Sequence, residues 1–207
     1  MSEMSSRSKT RTLTLMAMLA AMAYAAMLIT RPLPAVAGFL LGPGPALLIT
    51  AVVALIEMVT VSSTGPIGLL MNVLSTAAFA LPPSLMYRRS RTLKSAALGL
   101  GLGVALMTVL MLAWNYIITP LYMAVPRAVV AGMLVPTFLP FNLVKGGLNA
   151  GITMLLYKPL SGALKKTGLL PGQSGGGQPR RFNLAATVIS ALVVVTCVVL
   201  FVLMVKG

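Results

Sequence analysis

The sequence predicts an all-α integral membrane protein, and three observations carry that expectation. Of 207 residues, 58% are apolar and 9% charged, with a mean hydropathy of +0.97. A soluble domain carries roughly 25% charged residues, so this chain cannot clothe itself in a hydrated surface. The apolar residues gather into runs near the ~20 residues that a helix needs to cross hydrocarbon. The 16 Lys+Arg, against 2 Asp+Glu, fall largely in short clusters between those runs. That distribution sets orientation in a membrane; it is not the footprint of a nucleic-acid-binding surface.

Residues 1–11 form a polar tail bearing Arg7, Lys9 and Arg11. Leu13–Thr30 outlasts the apolar region of an ordinary signal peptide and is expected to be the first transmembrane helix. Further spans are expected at about 46–61, 67–87, 96–118, 128–157 and 184–205. Pro82-Pro83 is expected to end the 67–87 run near one interface, and Pro136 and Pro140 to kink or divide the 128–157 run. Residues 167–181 hold the Gly/Pro/Gln-rich GLLPGQSGGGQP together with Arg180 and Arg181, a flexible basic linker. Residues 182–207 read as an appended transmembrane helix whose C-terminus lies outside.

Leu33–Leu41 is apolar but only about 14 Å long as a helix, half the hydrocarbon thickness. The clusters Arg7/Lys9/Arg11, Arg88/Arg89/Arg91/Lys94 and Lys158/Lys165/Lys166/Arg180/Arg181 hold 12 of the 16 basic residues. If all three face the cytoplasm, with the N-terminus, an even number of crossings separates the first from the second. Three runs are obvious there. A fourth crossing is needed, and 33–43 is the candidate: either it crosses as a short broken element, or residues have been lost from this region.

Catalysis is not expected. The chain has no Asp and no His; Glu3 lies in the tail and Glu57 stands alone, so there is no carboxylate pair for acid–base work. Cys197 is the only cysteine, which excludes an intrachain disulfide and any His/Cys metal cluster. No phosphate-binding G-x-x-x-x-G-K-[ST] loop occurs. No catalytic residue, metal or resident cofactor is expected.

A polar side chain inside a span is costly and requires a reason. Asn115 in WNY, Asn142 and Lys145 in PFNLVKGG, and Asn149 one turn on are the candidates. Asn142 and Lys145 are three apart and share a helix face. Lys145 could bind a ligand, snorkel, or pair with Glu57, which could equally face water. Asn115 could contact a ligand or bond another helix. Carboxamides, an ammonium and the aromatics Trp114, Tyr116, Tyr122 and Phe141 together suit a planar ligand with an imide edge. The aromatics could also form an interfacial belt. SSTGP (Ser62–Pro66, with Thr64) and Asn72 add hydroxyl and amide groups toward the expected outer face, or make an ordinary turn. Ala17, Ala21 and Ala25 form a smooth ridge on the first helix, suited to close approach of a partner. Gly99/Gly103 and Gly147/Gly151 make similar surfaces, expected to pack within the protein.

The order STGP…N, LPPSLMYRR, WNYIITPLY and LPFNLVKGGLNAGITMLLYKPLS resembles the riboflavin-specific substrate-binding (S) components of energy-coupling-factor (ECF) transporters, the RibU group. The resemblance covers residues 12–166 and implies a six-helix S-component-like bundle, here with a shortened second-helix region and the extra C-terminal helix. It implies capture of riboflavin, as transported ligand, from the outer side of the cell membrane. It implies partners as well: a coupling transmembrane subunit, reached through Ala17, Ala21 and Ala25, and two ATPase subunits. Asn115, Asn142 and Lys145 match the family's flavin contacts; Tyr116, Asn72 and Thr64 complete the expected ligand-binding set. Where the family has a longer acidic loop and a full second helix, this chain has only RPLPAVAGFLLGP. The rival readings are an S component for another planar vitamin, a small proton-coupled exporter working through Glu57, and a scaffold bundle.

Overall fold

The structure is a computed structural model that describes residues 31–60, 65–90, 92–166 and 184–206. Among these residues all regular structure is helical: α1 (Leu33–Leu41), α2 (Pro43–Thr60), α3 (Gly65–Ser90), α4 (Leu93–Met123), α5 (Arg127–Met133), a π-helical turn (Leu134–Phe138), α6 (Leu139–Lys166) and α7 (Leu184–Lys206). Residues 1–30, with Ala17, Ala21 and Ala25, lie outside the described residues, as do Thr64 and the 167–181 linker.

The short Leu33–Leu41 segment is a helix of its own. Pro34 sits in its first turn, where a missing N–H costs nothing and the fixed φ already suits a helix. Its length is too small to expose much: Pro34 to Phe39 are all buried, with Ala35 and Val36 at 0% exposure. Gly42 ends it with φ +98°, a conformation that favours glycine, and its N–H bonds back to the Gly38 carbonyl at 3.1 Å. The chain then reverses. Arg31, ahead of α1, meets Glu57 near the far end of α2, so the two helices run antiparallel. The region is thus a short helix that turns back on itself at Gly42.

Pro82-Pro83 does not end its helix; α3 continues through both prolines to Ser90. The two rings deprive the Ala78 and Phe79 carbonyls of their helical donors. Tertiary packing compensates on that side. Gly103 of α4 lies directly against the Phe79 carbonyl, and a Cβ at Gly99 would stand 2.5 Å from Pro83 Cα. The Gly99/Gly103 ridge therefore packs within the protein, as the sequence suggests. Thr92 caps α4 by accepting the Ser95 N–H at 3.1 Å.

The 128–157 run is divided where its prolines predict. α5 gives way to a π turn containing Pro136, and α6 resumes at Leu139, immediately before Pro140. A π turn is a common local answer when the ordinary ladder cannot be continued. By length and apolarity, Gly65–Ser90, Leu93–Met123 and Arg127–Tyr157 can each cross a membrane; Pro43–Val59 and Thr187–Leu203 are shorter apolar helices. The expected spans at 46–61 and 184–205 are thus present as helices with shorter apolar cores.

α7 packs antiparallel on α6. A Cβ at Gly151 would meet Val194 at 2.7 Å and the Ser190 carbonyl at 3.2 Å, and one at Gly147 would meet Cys197 Sγ at 2.9 Å. The second glycine ridge is therefore the seat of the appended helix. At the Phe39 end of α1, three rings knit α1, α3 and α6 together. Phe39 lies edge-on to Tyr87 and Tyr157, with centroids 4.9 and 5.5 Å away, and the two tyrosine hydroxyls are hydrogen-bonded. Phe79, Leu100, Met107 and Met111 fill the core above them.

Candidate functional site

About 12 Å along α1 from Phe39, at the Arg31 end, the interior changes character. Ser75 and Thr76 of α3, Lys145 and Asn149 of α6, and Arg31 line one small cavity, floored by Phe79 and Met107. Lys145 and Asn149 share a face because they are one helical turn apart, as are Ser75 and Phe79. Ser75 and Asn149 are buried, at 3% and 6% exposure. The cavity measures about 10 Å³. That is room for about one water molecule.

Arg31 joins this cavity to a second polar pair. Its Nε lies 3.3 Å from Glu57 Oε1. Asn72 donates its amide N–H to Glu57 Oε2 at 2.8 Å. Glu57 is therefore buried and engaged by Arg31 and Asn72; it neither pairs with Lys145 nor faces water, the two expectations for it. Two cations, Arg31 and Lys145, share this interior with one carboxylate. Charges held among apolar helices are costly unless paired and hydrogen-bonded, which makes the cluster the most expensive polar feature of the described residues.

The carboxamides expected beside Lys145 are engaged nearer home. Asn115 donates to the Met111 carbonyl at 2.8 Å and accepts from the Thr119 hydroxyl at 3.0 Å, both on its own helix. Asn142, at 3% exposure, donates to the Phe138 carbonyl at 2.8 Å, where the π turn meets α6. Neither lines the cavity that Lys145 lines. Tyr116, Tyr122 and Phe141 point outward, at 44%, 41% and 42% exposure. Trp114 packs instead against the core, with its indole N–H buried and no acceptor among the described residues, which does not fit an interfacial belt.

Sequence reasoning missed Arg31. Its signal was present: it is one of four basic residues outside the three clusters, and it stands between two apolar segments. The group as built offers donors from Arg31, Lys145 and Asn149, an acceptor from Glu57, and both from Ser75 and Thr76. These groups can hydrogen-bond a polar guest, and at about 10 Å³ the cavity as it stands admits one no larger than a water molecule.

The family model for the ECF transporter substrate-specific component matches residues 11–157. The riboflavin transporter FmnP of Bacillus subtilis (strain 168) is 28% identical over 178 residues, covering 72% of this chain and 91% of that protein. The riboflavin transporter RibU of Staphylococcus aureus (strain TCH60) is 29% identical over 136 residues, 63% of this chain and 71% of that one. The RibU of Streptococcus thermophilus is 34% identical over 107 residues, 48% and 51% of the two chains. A solved S component of a bacterial ECF transporter superposes with a TM-score of 0.55 at 27% identity, over 66% of this chain and 78% of the other.

Proposed function

Because this chain belongs to the family of ECF transporter substrate-specific components, we propose that it is the membrane subunit that captures riboflavin and passes it inward. The observation that carries this reading is Lys145, set in a polar hollow within an apolar helix bundle, with the similar proteins named as riboflavin transporters in support. In this reading Lys145 donates to a ring carbonyl, and Asn142, Asn115, Asn72, Tyr116 and Thr64 are proposed to join it only after rearrangement, since neither Asn115 nor Asn142 lines the present hollow and Tyr116 points outward. Pockets for ligands of this size run to about 300–1,000 Å³, so the present hollow must open. The domain is residues 12–166, with the tail at 1–11 cytoplasmic and the 182–207 helix an addition to it.

Inward delivery against a gradient needs energy, and no nucleotide-binding loop exists in this sequence. We assign that step to two ATPase subunits and a coupling membrane subunit, the last seated on the Ala17, Ala21 and Ala25 ridge. The exporter alternative needs a carboxylate free to exchange protons, whereas Glu57 is held by Arg31 and Asn72. The test is the visible absorbance of protein purified from cells grown with excess riboflavin. A flavin spectrum in near one-to-one ratio supports the proposal; colourless protein that copurifies with another vitamin overturns it.

A further inference from the structure

We propose that Glu57, positioned by Arg31 and Asn72, reads the hydroxylated tail of the flavin and so sets the preference for riboflavin over the bare ring system. The inference rests on the flavin reading above and deepens it. An isoalloxazine ring presents mostly acceptors, its carbonyl oxygens and ring nitrogens, and these suit Lys145, Arg31 and carboxamide N–H groups. The ribityl chain presents four hydroxyls, each a donor in search of an acceptor.

Glu57 is a buried anion beside the cavity, its side chain 8% exposed. A carboxylate has about four acceptor directions. Oε2 takes the Asn72 amide; Oε1 sits 3.3 Å from Arg31 Nε but accepts no hydrogen bond among the described residues. Acceptor capacity is therefore left over on Oε1, which is buried and which a hydroxyl reaches once the hollow opens. Arg31 lies between Glu57 and the cavity of Lys145, which sets the two contacts one guanidinium apart. A ring at Lys145 with its tail toward Glu57 would place the two contacts on either side of Arg31. An O–H donating to a carboxylate is about twice as strong as a neutral pair, so the tail contact discriminates.

The experiment titrates the purified full-length protein with riboflavin and with lumiflavin, which carries a methyl group in place of the ribityl chain. Glu57→Gln is expected to weaken riboflavin about ten- to a hundredfold and lumiflavin distinctly less, so that the riboflavin-to-lumiflavin preference falls. Lys145→Met should weaken both alike. The double variant Arg31→Gln/Glu57→Gln removes both members of the ion pair, and should lose the same preference while remaining monodisperse. An unchanged riboflavin-to-lumiflavin ratio in both variants overturns the inference while leaving the flavin reading intact. Wild-type protein that binds neither flavin overturns the flavin reading, and the inference with it.

Discussion

Arg31 Nε lies 3.3 Å from Glu57 Oε1, tying the chain ahead of α1 to the far end of α2. Between them the chain turns at Gly42. The pair fixes the pitch of this helical hairpin and, through Asn72, its register on α3.

Removing one partner leaves the other charged among apolar side chains. Arg31→Met alone should therefore cost about 3–5 kcal/mol. Arg31→Met/Glu57→Met should recover part of that loss, because neither member of the pair is then left without the other. Thermal unfolding of the two single variants and the double variant in detergent gives the coupling energy directly.

The ridge of α4 against the double proline of α3 makes a second prediction. A Cβ at Gly103 runs into the Phe79 carbonyl, a backbone atom that cannot turn aside. Gly103→Ala should cost about 1–3 kcal/mol, the usual range for overpacking. Gly101, two residues away, faces open space, and Gly101→Ala should be neutral or gain up to about 1 kcal/mol in helix propensity. The difference between the two unfolding midpoints checks the packing.

The seat of α7 is tested through the only cysteine. A Cβ at Gly147 would lie 2.9 Å from Cys197 Sγ, close to the spacing that a disulfide requires. Gly147→Cys should cross-link to Cys197 on mild oxidation. Tryptic cleavage at Arg180 or Arg181 then leaves the two fragments joined until a reductant is added. Fragments that separate without reductant would place α7 elsewhere.

The proposed coupling ridge separates binding from transport. Ala21→Leu should reduce riboflavin uptake by cells at least several-fold and leave flavin binding by the purified protein unchanged. Loss of both together would move that ridge out of the partner surface.

Much of the fold was legible in hydropathy alone, because each helix from α2 to α7 is an apolar run that must satisfy its own backbone in hydrocarbon. The division at Pro136 and Pro140 was legible for the same local reason. Pro82-Pro83 misled because what sustains α3 there is Gly99 and Gly103, which belong to another helix. Arg31 was missed because its partner is distant in sequence, and no local pattern announces a pairing of that kind. Lys145 was legible as a lone cation in an apolar run. The inward bonds of Asn115 and Asn142 were not, since carboxamides bond to their own helix as readily as to a ligand.

Quenching of flavin fluorescence by purified protein, wild type against Lys145→Met, tests the central claim most directly. The account predicts saturable one-to-one binding by the wild type and an affinity at least about tenfold weaker in the variant, as expected when a charged hydrogen-bond donor is removed. Equal affinity in a well-folded variant would contradict it.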